Sequence, residues 1–375
     1  MKKRKGAARV GVLPLFLCVC AIFGASARGA VAQGAEATDL ERAAAAEKLL
    51  RATFRAGEPG ASALVARNGR VIFRGNYGIA NRQTKEPITS DTVFDTGSVS
   101  KAFTAAAVLL LAEEGKLATS DLATKYLPEL AGYKRAITLH HLLTHTSGLP
   151  SFEPEEERTQ RQFSPEDVVR WHAREKRLRF APGERYEYSN SGYVLLGVLV
   201  ARVSGKTFAE FVQERIFAPL GMTRTTLARA TKEIAGRATG YRVSGESGFL
   251  VVSDSDGLRV QGDGGIQSTA ENLLRWAESW YSGKLLRADS IRAAWTSAQL
   301  NDGKRIAYGY GWGFGRVEGR TMVSHDGRAR GFRAYLAMFP GDGNVTIIVL
   351  ANQREHEAGD VAMKLAKVFL GGAGL

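Results

Sequence analysis

Thr96-Gly97-Ser98-Val99-Ser100-Lys101-Ala102-Phe103 sets a serine hydroxyl and a lysine ammonium three residues apart, where an apolar run begins. From Ala102 to Ala112 the run is broken only by Thr104, and it ends at Glu113-Glu114-Gly115. Glycine at that place is a helix stop signal. A helix apolar on nearly all sides is a buried one. The stretch therefore predicts a central helix with Ser98 and Lys101 on its first turn, sharing a face at i and i+3.

That geometry suits nucleophilic chemistry. A serine hydroxyl is a weak nucleophile until a base takes its proton. Lysine becomes that base when partial burial disfavours the ammonium and lowers its pKa. The free N–H groups at a helix N-terminus favour developing negative charge, so the Ser98 N–H is a candidate half of an oxyanion hole. From the octapeptide alone, a surface lysine one turn after a capping serine is the competing reading.

Outward from this stretch, the 375-residue chain has 44% apolar and 24% charged residues, enough for a large core and against global disorder. Residues 1–32 read as a signal peptide. Lys2, Lys3, Arg4, Lys5 and Arg9 precede an apolar segment from Val10 to Gly24, and Ala30-Val31-Ala32 offers a cleavage site. The expected location is therefore periplasmic or secreted. Both cysteines, Cys18 and Cys20, fall inside that segment, which leaves the mature chain without disulfide or thiol chemistry. The net charge is +13, and six of the positive residues lie in 1–32. No segment combines clustered Lys/Arg with interleaved aromatics, so nucleic-acid binding is not expected.

Residues 39–56 predict an amphipathic helix. Ala61–Arg67 and Arg70–Tyr77 predict a hairpin around Asn68-Gly69. Between about 119 and 225 the pattern is mainly helical, and 226–262 reads as irregular strands and loops. Glu153–Arg161 reads as an exposed charged loop, and Ser164-Pro165-Glu166-Asp167 opens a helix. Strands return at 310–317, 321–324, 332–339 and 345–351, before a closing helix from Gly359 to Leu370. Strands at both ends and helices between predict an α+β fold. One antiparallel sheet is built from both ends of the chain and flanked by helices, with an inserted, mainly helical lobe. Residues 33–375 then form a single domain, with a sheet lobe at about 39–118 and 255–371 and a helical lobe at about 119–254. A site would lie in the cleft between the lobes.

Two further places carry candidate chemistry. Tyr188-Ser189-Asn190 sits at a loop–helix junction, where a phenol can relay a proton if a nearby ammonium lowers its pKa. A packed tyrosine is the alternative. His325-Asp326-Gly327 precedes a strand containing Gly331-Phe332, and a backbone N–H there can complete an oxyanion hole. His325 reads either as a structural histidine or as a donor or charge. His141 and His145 have i, i+4 spacing, but no acid or cysteine set joins them, so neither metal nor cofactor is expected.

Ser98-x-x-Lys101, Tyr188-x-Asn190 and His325-x-Gly327, in that order and rough spacing, resemble the serine β-lactamase and penicillin-binding-protein superfamily. The Tyr-x-Asn form resembles its class C branch. That branch includes class C β-lactamases, D-Ala-D-Ala carboxypeptidases, D-aminopeptidases and family VIII carboxylesterases. Leu142-Leu143-Thr144-His145-Thr146-Ser147-Gly148-Leu149, Pro219-Leu220-Gly221-Met222 and Gly264-Gly265 support the match, which runs from about 48 to 371.

The resemblance implies that Ser98 attacks a carbonyl and becomes acylated, and that Lys101 and Tyr188 share the general-base work. It makes Tyr188 the activator of deacylating water and the acid for the leaving group. Asn190 orients Lys101 and the substrate's acyl amide. The oxyanion hole is the N–H of Ser98 with that of Arg328, each donor worth about 3 kcal/mol. Class C β-lactamases usually carry Lys-Thr-Gly where this chain has His325-Asp326-Gly327. A neutral imidazole and an aspartate bind a substrate carboxylate poorly. Arg328 and Arg330 would restore anion binding only if their side chains face the cleft. The expectation is an ester, amide or D-amino-acid peptide hydrolase with weak or no β-lactam turnover, acting on small molecules or cell-wall peptide. The alternative is a binding protein on the same scaffold that holds such a ligand without turnover.

Overall fold

The computed structural model describes residues 23–159, 163–227, 235–245, 248–252, 261–341 and 343–371. The basic and apolar start of the expected signal peptide, both cysteines and Asp342 lie outside them. So do residues 160 and 161, at the end of the stretch 153–161.

The chain starts with helix α1 (Phe23–Thr53), then strands β1 (Ala61–Arg67), β2 (Arg70–Tyr77), β3 (Ile79–Asn81), β4 (Glu86–Pro87) and β5 (Phe94–Asp95). Helices α2 (Ser100–Glu113), α3 (Leu139–Leu143), α4 (Glu153–Thr159), α5 (Pro165–Arg174), α6 (Asn190–Ser204) and α7 (Phe208–Val212) follow. Short strands β6 (Thr226–Leu227), β7 (Tyr241–Ser244), β8 (Gly248–Val251) and β9 (Ile266–Ser268) lead to α8 (Ala270–Ser282) and α9 (Ala288–Ala294). The chain ends with β10 (Gly313–Val317), β11 (Arg320–Ala329), β12 (Phe332–Phe339), β13 (Val345–Ala351) and α10 (Ala358–Leu370).

The main sheet has six strands in the order β10-β11-β12-β13-β1-β2. Every neighbouring pair is antiparallel, and β1 joins the two chain ends by pairing Ala61 with Ala351 through to Arg67 with Val345. The expected α+β architecture is the one observed. Asn68 and Gly69 both take positive φ, +49° and +75°, as a two-residue hairpin turn of this hand requires. Helices cover both sheet faces, which is why β1 and β13 are mostly apolar and are buried on both sides except at Arg67. Ala63, Val65, Ile347 and Val349 meet α1 and α10 through Leu50, Phe54, Leu365 and Phe369. Leu64, Ala66, Ile348 and Leu350 belong to the opposite core with α2 and α8.

Helix α2 runs through that second core, buried from Ser100 to Leu111. Phe103 stacks on Trp276 at a centroid distance of 3.9 Å and meets Phe217 edge-on at 5.8 Å. Ser164 caps α5 as expected, through reciprocal bonds with Asp167, and Gly205 ends α6 in the left-handed region.

Two expectations need correction. The acidic stretch is helical from Glu153 to Thr159, because the buried rings of Phe152 and Phe163 stack at 6.1 Å and tie it to Val168 and Val194. The third motif does precede the strand that holds Phe332, but it also lies inside β11, which runs on past the expected end at Ser324 to Ala329 and pairs Asp326 with Tyr335. No helix among the described residues is long and apolar enough to cross a membrane.

Candidate active site

Ser98 sits on a 3-10 turn, Gly97–Val99, that leads into α2. Asp95 starts this turn by accepting the Gly97 N–H at 2.8 Å. The loop 262–268 then clamps the helix start. Thr104 donates to the Gly262 carbonyl at 2.6 Å, and Ser100 Oγ accepts the Ile266 N–H at 3.1 Å. Strand β11 presses on the same turn. A Cβ on Gly327 would collide with the Thr96 carbonyl, and one on Gly97, whose φ is +51°, would lie 2.6 Å from the Arg328 nitrogen. Gly327 thus serves the site through the close approach it permits. The Arg328 backbone lies against the Ser98 turn, as an oxyanion hole shared by the two residues requires.

Lys101 is fully buried. Its Nζ contacts Ser98 Oγ at 3.1 Å, Asn190 Oδ1 at 2.7 Å and the Asp263 carbonyl at 2.8 Å. The rings of Tyr188 and Tyr193 lie over it at 4.9 and 5.7 Å. Loss of hydration pulls its pKa down to about 8, against the opposing pull of Asp263, Glu153 and Asp326. Two of its three partners are carbonyl oxygens that only accept. The neutral amine keeps two N–H bonds for them, and its lone pair is left facing the Ser98 hydroxyl.

The profile of the family described as Beta-lactamase matches residues 37–369. The chain belongs to the beta-lactamase family. Penicillin-binding protein 4* of Bacillus subtilis is 31% identical over 329 residues, spanning 82% of this chain and 72% of that protein. Protein flp of Staphylococcus aureus is 30% identical over 306 residues, 78% of this chain and 59% of that protein's length. The solved structure of an octameric penicillin-binding protein homologue from Pyrococcus abyssi matches with a TM-score of 0.75 at 27% identity, covering 88% of this chain and 76% of that one.

Within this beta-lactamase-family frame, Tyr188 faces the cleft and is 39% exposed. Its phenol is nonetheless crowded by protein, and that desolvation raises its pKa. The Ser98 hydroxyl opposes the shift, while Asp326, Asp263 and Glu153 add to it. The lowering by a nearby ammonium, which a proton relay from this tyrosine would need, does not occur, because desolvation dominates. Tyr188 is therefore a phenol, able to donate, at any ordinary pH.

Of its two readings, His325 fits the structural one. Its Nδ1 lies 2.6 Å from the Asp326 carbonyl, which can only accept, so Nδ1 carries the proton. Its Nε2 then accepts from Tyr308 at 3.0 Å. Burial, with Lys101 nearby, lowers its pKa to about 4. The imidazole is neutral with both nitrogens engaged, so it offers substrate neither charge nor a free donor. The Arg328 side chain is likewise committed, to Glu357 at 3.2 Å and Asp326 at 3.7 Å.

Two adjoining clefts meet at β11. One, about 540 Å³, holds Ser98, Asn190, Glu153 and Asp263 opposite Arg330 and Arg354. The other, about 470 Å³, holds Tyr186, Tyr188, Tyr308 and His325. Arg328 and Arg333 line both.

Sequence reasoning missed Glu153, Asp263, Tyr308 and the role of His145. Glu153 reads as one acid among many in a polar stretch, and Asp263 as a turn residue. His145 Nδ1 accepts the Ser189 N–H at 3.1 Å, and its ring lies 4.4 Å from that of Tyr188. It fixes the tyrosine loop. Among the described residues no His, Cys, Asp or Glu cluster is arranged to hold a metal ion.

Proposed function

We propose that this beta-lactamase-family protein is an exported serine hydrolase that works through an acyl-enzyme on Ser98. Neutral Lys101 takes the Ser98 proton as Oγ attacks a carbonyl carbon. The oxyanion is held by the N–H groups of Ser98 and Arg328. The bond to the leaving group breaks, and Tyr188 donates the proton that group needs. The Lys101 ammonium returns a proton to Tyr188. Water then attacks the acyl carbon, and the proton it loses passes through neutral Lys101 to the departing Ser98 Oγ, releasing the acid. The acyl half of the substrate lies in the Asn190 cleft and the leaving group in the tyrosine-lined cleft. Export rests on the composition of residues 1–32.

The observation that carries this reading is the 3.1 Å contact between Lys101 Nζ and Ser98 Oγ, with the amine's other bonds taken by acceptors. The proposed substrates are esters, amides or D-amino-acid peptides. Efficient β-lactam turnover is disfavoured, because neutral His325 and the Asp326 carboxylate replace a carboxylate-binding lysine and threonine. Wild-type protein incubated with nitrophenyl butyrate should gain the mass of one butyryl group, and Ser98→Ala should gain none. A panel of nitrocefin, short-chain esters and D-alanyl peptides then ranks substrates.

The second reading, a protein that binds cell-wall peptide without turnover, is favoured by the sequestered third motif. It predicts saturable peptide binding with neither adduct nor product.

A further inference from the structure

We infer that Glu153 is a positioning residue for Lys101, acting through the side-chain amide of Asn190. This rests on the proposed base role of Lys101 and adds to it a residue from outside the three motifs.

The amide of Asn190 bridges two charged groups. Its Oδ1 accepts from Lys101 at 2.7 Å, and its Nδ2 donates to Glu153 Oε1. A carboxylate only accepts and an ammonium only donates. Turning the amide over would set NH2 against the ammonium and oxygen against the carboxylate. Both contacts would then be repulsive, so Glu153 locks the orientation. With Asn190 Oδ1 fixed on one N–H of Lys101 and the Asp263 carbonyl on another, the lone pair of the neutral amine points at Ser98. Without Glu153, the amide is free to donate to that lone pair and remove it from the serine.

Glu153 is itself held in place. It starts α4, whose first turn is anchored by Phe152 in the small core and by Glu156, which accepts the Phe163 N–H at 2.6 Å. Its second oxygen, Oε2, is buried with no hydrogen-bond partner among the described residues. The Asn190 bond is thus its anchor in the cleft wall.

The charge of Glu153 has a second effect. Lys101 is faced by the carboxylates of Asp263, Glu153 and Asp326, by the rings of Tyr188 and Tyr193, and by the neutral imidazoles of His145 and His325. Removing one of three carboxylates weakens the support for the ammonium.

The test follows Ser98 acylation by nitrophenyl butyrate, read by intact mass and burst rate from pH 5 to 10. Glu153→Gln keeps an acceptor for Asn190 and loses the charge. It should move the midpoint of the rising limb about half a unit or more to lower pH. Glu153→Ala frees the amide and should slow acylation about 10-fold or more. If Glu153→Ala does not fold, the Glu153→Gln midpoint decides. Wild-type rates and midpoints in every folded variant would overturn the inference while leaving the hydrolase reading intact. Wild-type protein that forms neither adduct nor nitrophenol would overturn both.

Discussion

Lys101 Nζ meets Asn190 Oδ1 at 2.7 Å across 89 residues of chain, and the same amide binds Glu153 on its far side. Two helix starts, those of α2 and α6, are thereby brought to one point, and the serine between them faces an amine with nowhere else to aim its lone pair.

The pH dependence of acylation follows from the burial of Lys101. Its active form is the neutral amine, and its pKa is lowered to about 8. The rate should rise with pH through a midpoint near 8 and then level off. Tyr188 brings no alkaline fall in the ordinary range, since its pKa is raised. Lys101→Arg, which cannot lose its proton, should be inactive across the range. A profile falling from pH 7 to 9 would contradict this.

Tyr188→Phe removes the proton donor and keeps the ring that covers Lys101. A good leaving group needs no proton and a poor one does. The variant should lose about 10²-fold or more on an amide and far less on a nitrophenyl ester. Equal losses on both, compared as kcat/KM ratios, would argue against a leaving-group role.

Gly97→Ala strains a positive-φ position and pushes a Cβ toward the Arg328 nitrogen. The expected cost is about 1–3 kcal/mol of stability. The oxyanion hole should also open, so activity should fall by more than the drop in folded fraction explains. Circular dichroism melts and active-site titration separate the two effects.

Acid stability is set by neutral histidines, three of them buried (His145, His172 and His325) and one, His141, half-buried. His325 and His141 have pKa values lowered to about 4, His172 to about 3, and His145 lies well below its usual value, all by burial first. The unfolded chain takes up protons near 6.5, and the native state resists until about 4. Within that window the unfolded state binds more protons, so stability falls as pH drops. The melting temperature should decline steadily from pH 6.5 to 5, before most carboxylates titrate. A flat melting temperature over that interval would refute the account.

Much of the frame was legible in the chain. The Asn68-Gly69 hairpin, the apolar α2 run, the Ser164 cap and the strands at both ends depend on local turn chemistry and periodicity. The three motifs named Ser98, Lys101, Tyr188 and Asn190 by type and spacing. Glu153 was not legible, because an acid at the start of a charged helix looks the same whether it faces water or an asparagine. Nor was the loss of His325 as a substrate group, which turns on where Tyr308 lies.

By itself the sequence determined the fold class and the chemical alphabet of the site, since helix burial, strand pairing and a Ser-x-x-Lys spacing are properties of near neighbours along the chain. Only the tertiary structure decided the protonation and aim of those groups. Burial lowers the Lys101 pKa and raises that of Tyr188, and residues distant in sequence choose which way the Asn190 amide and the His325 ring must point.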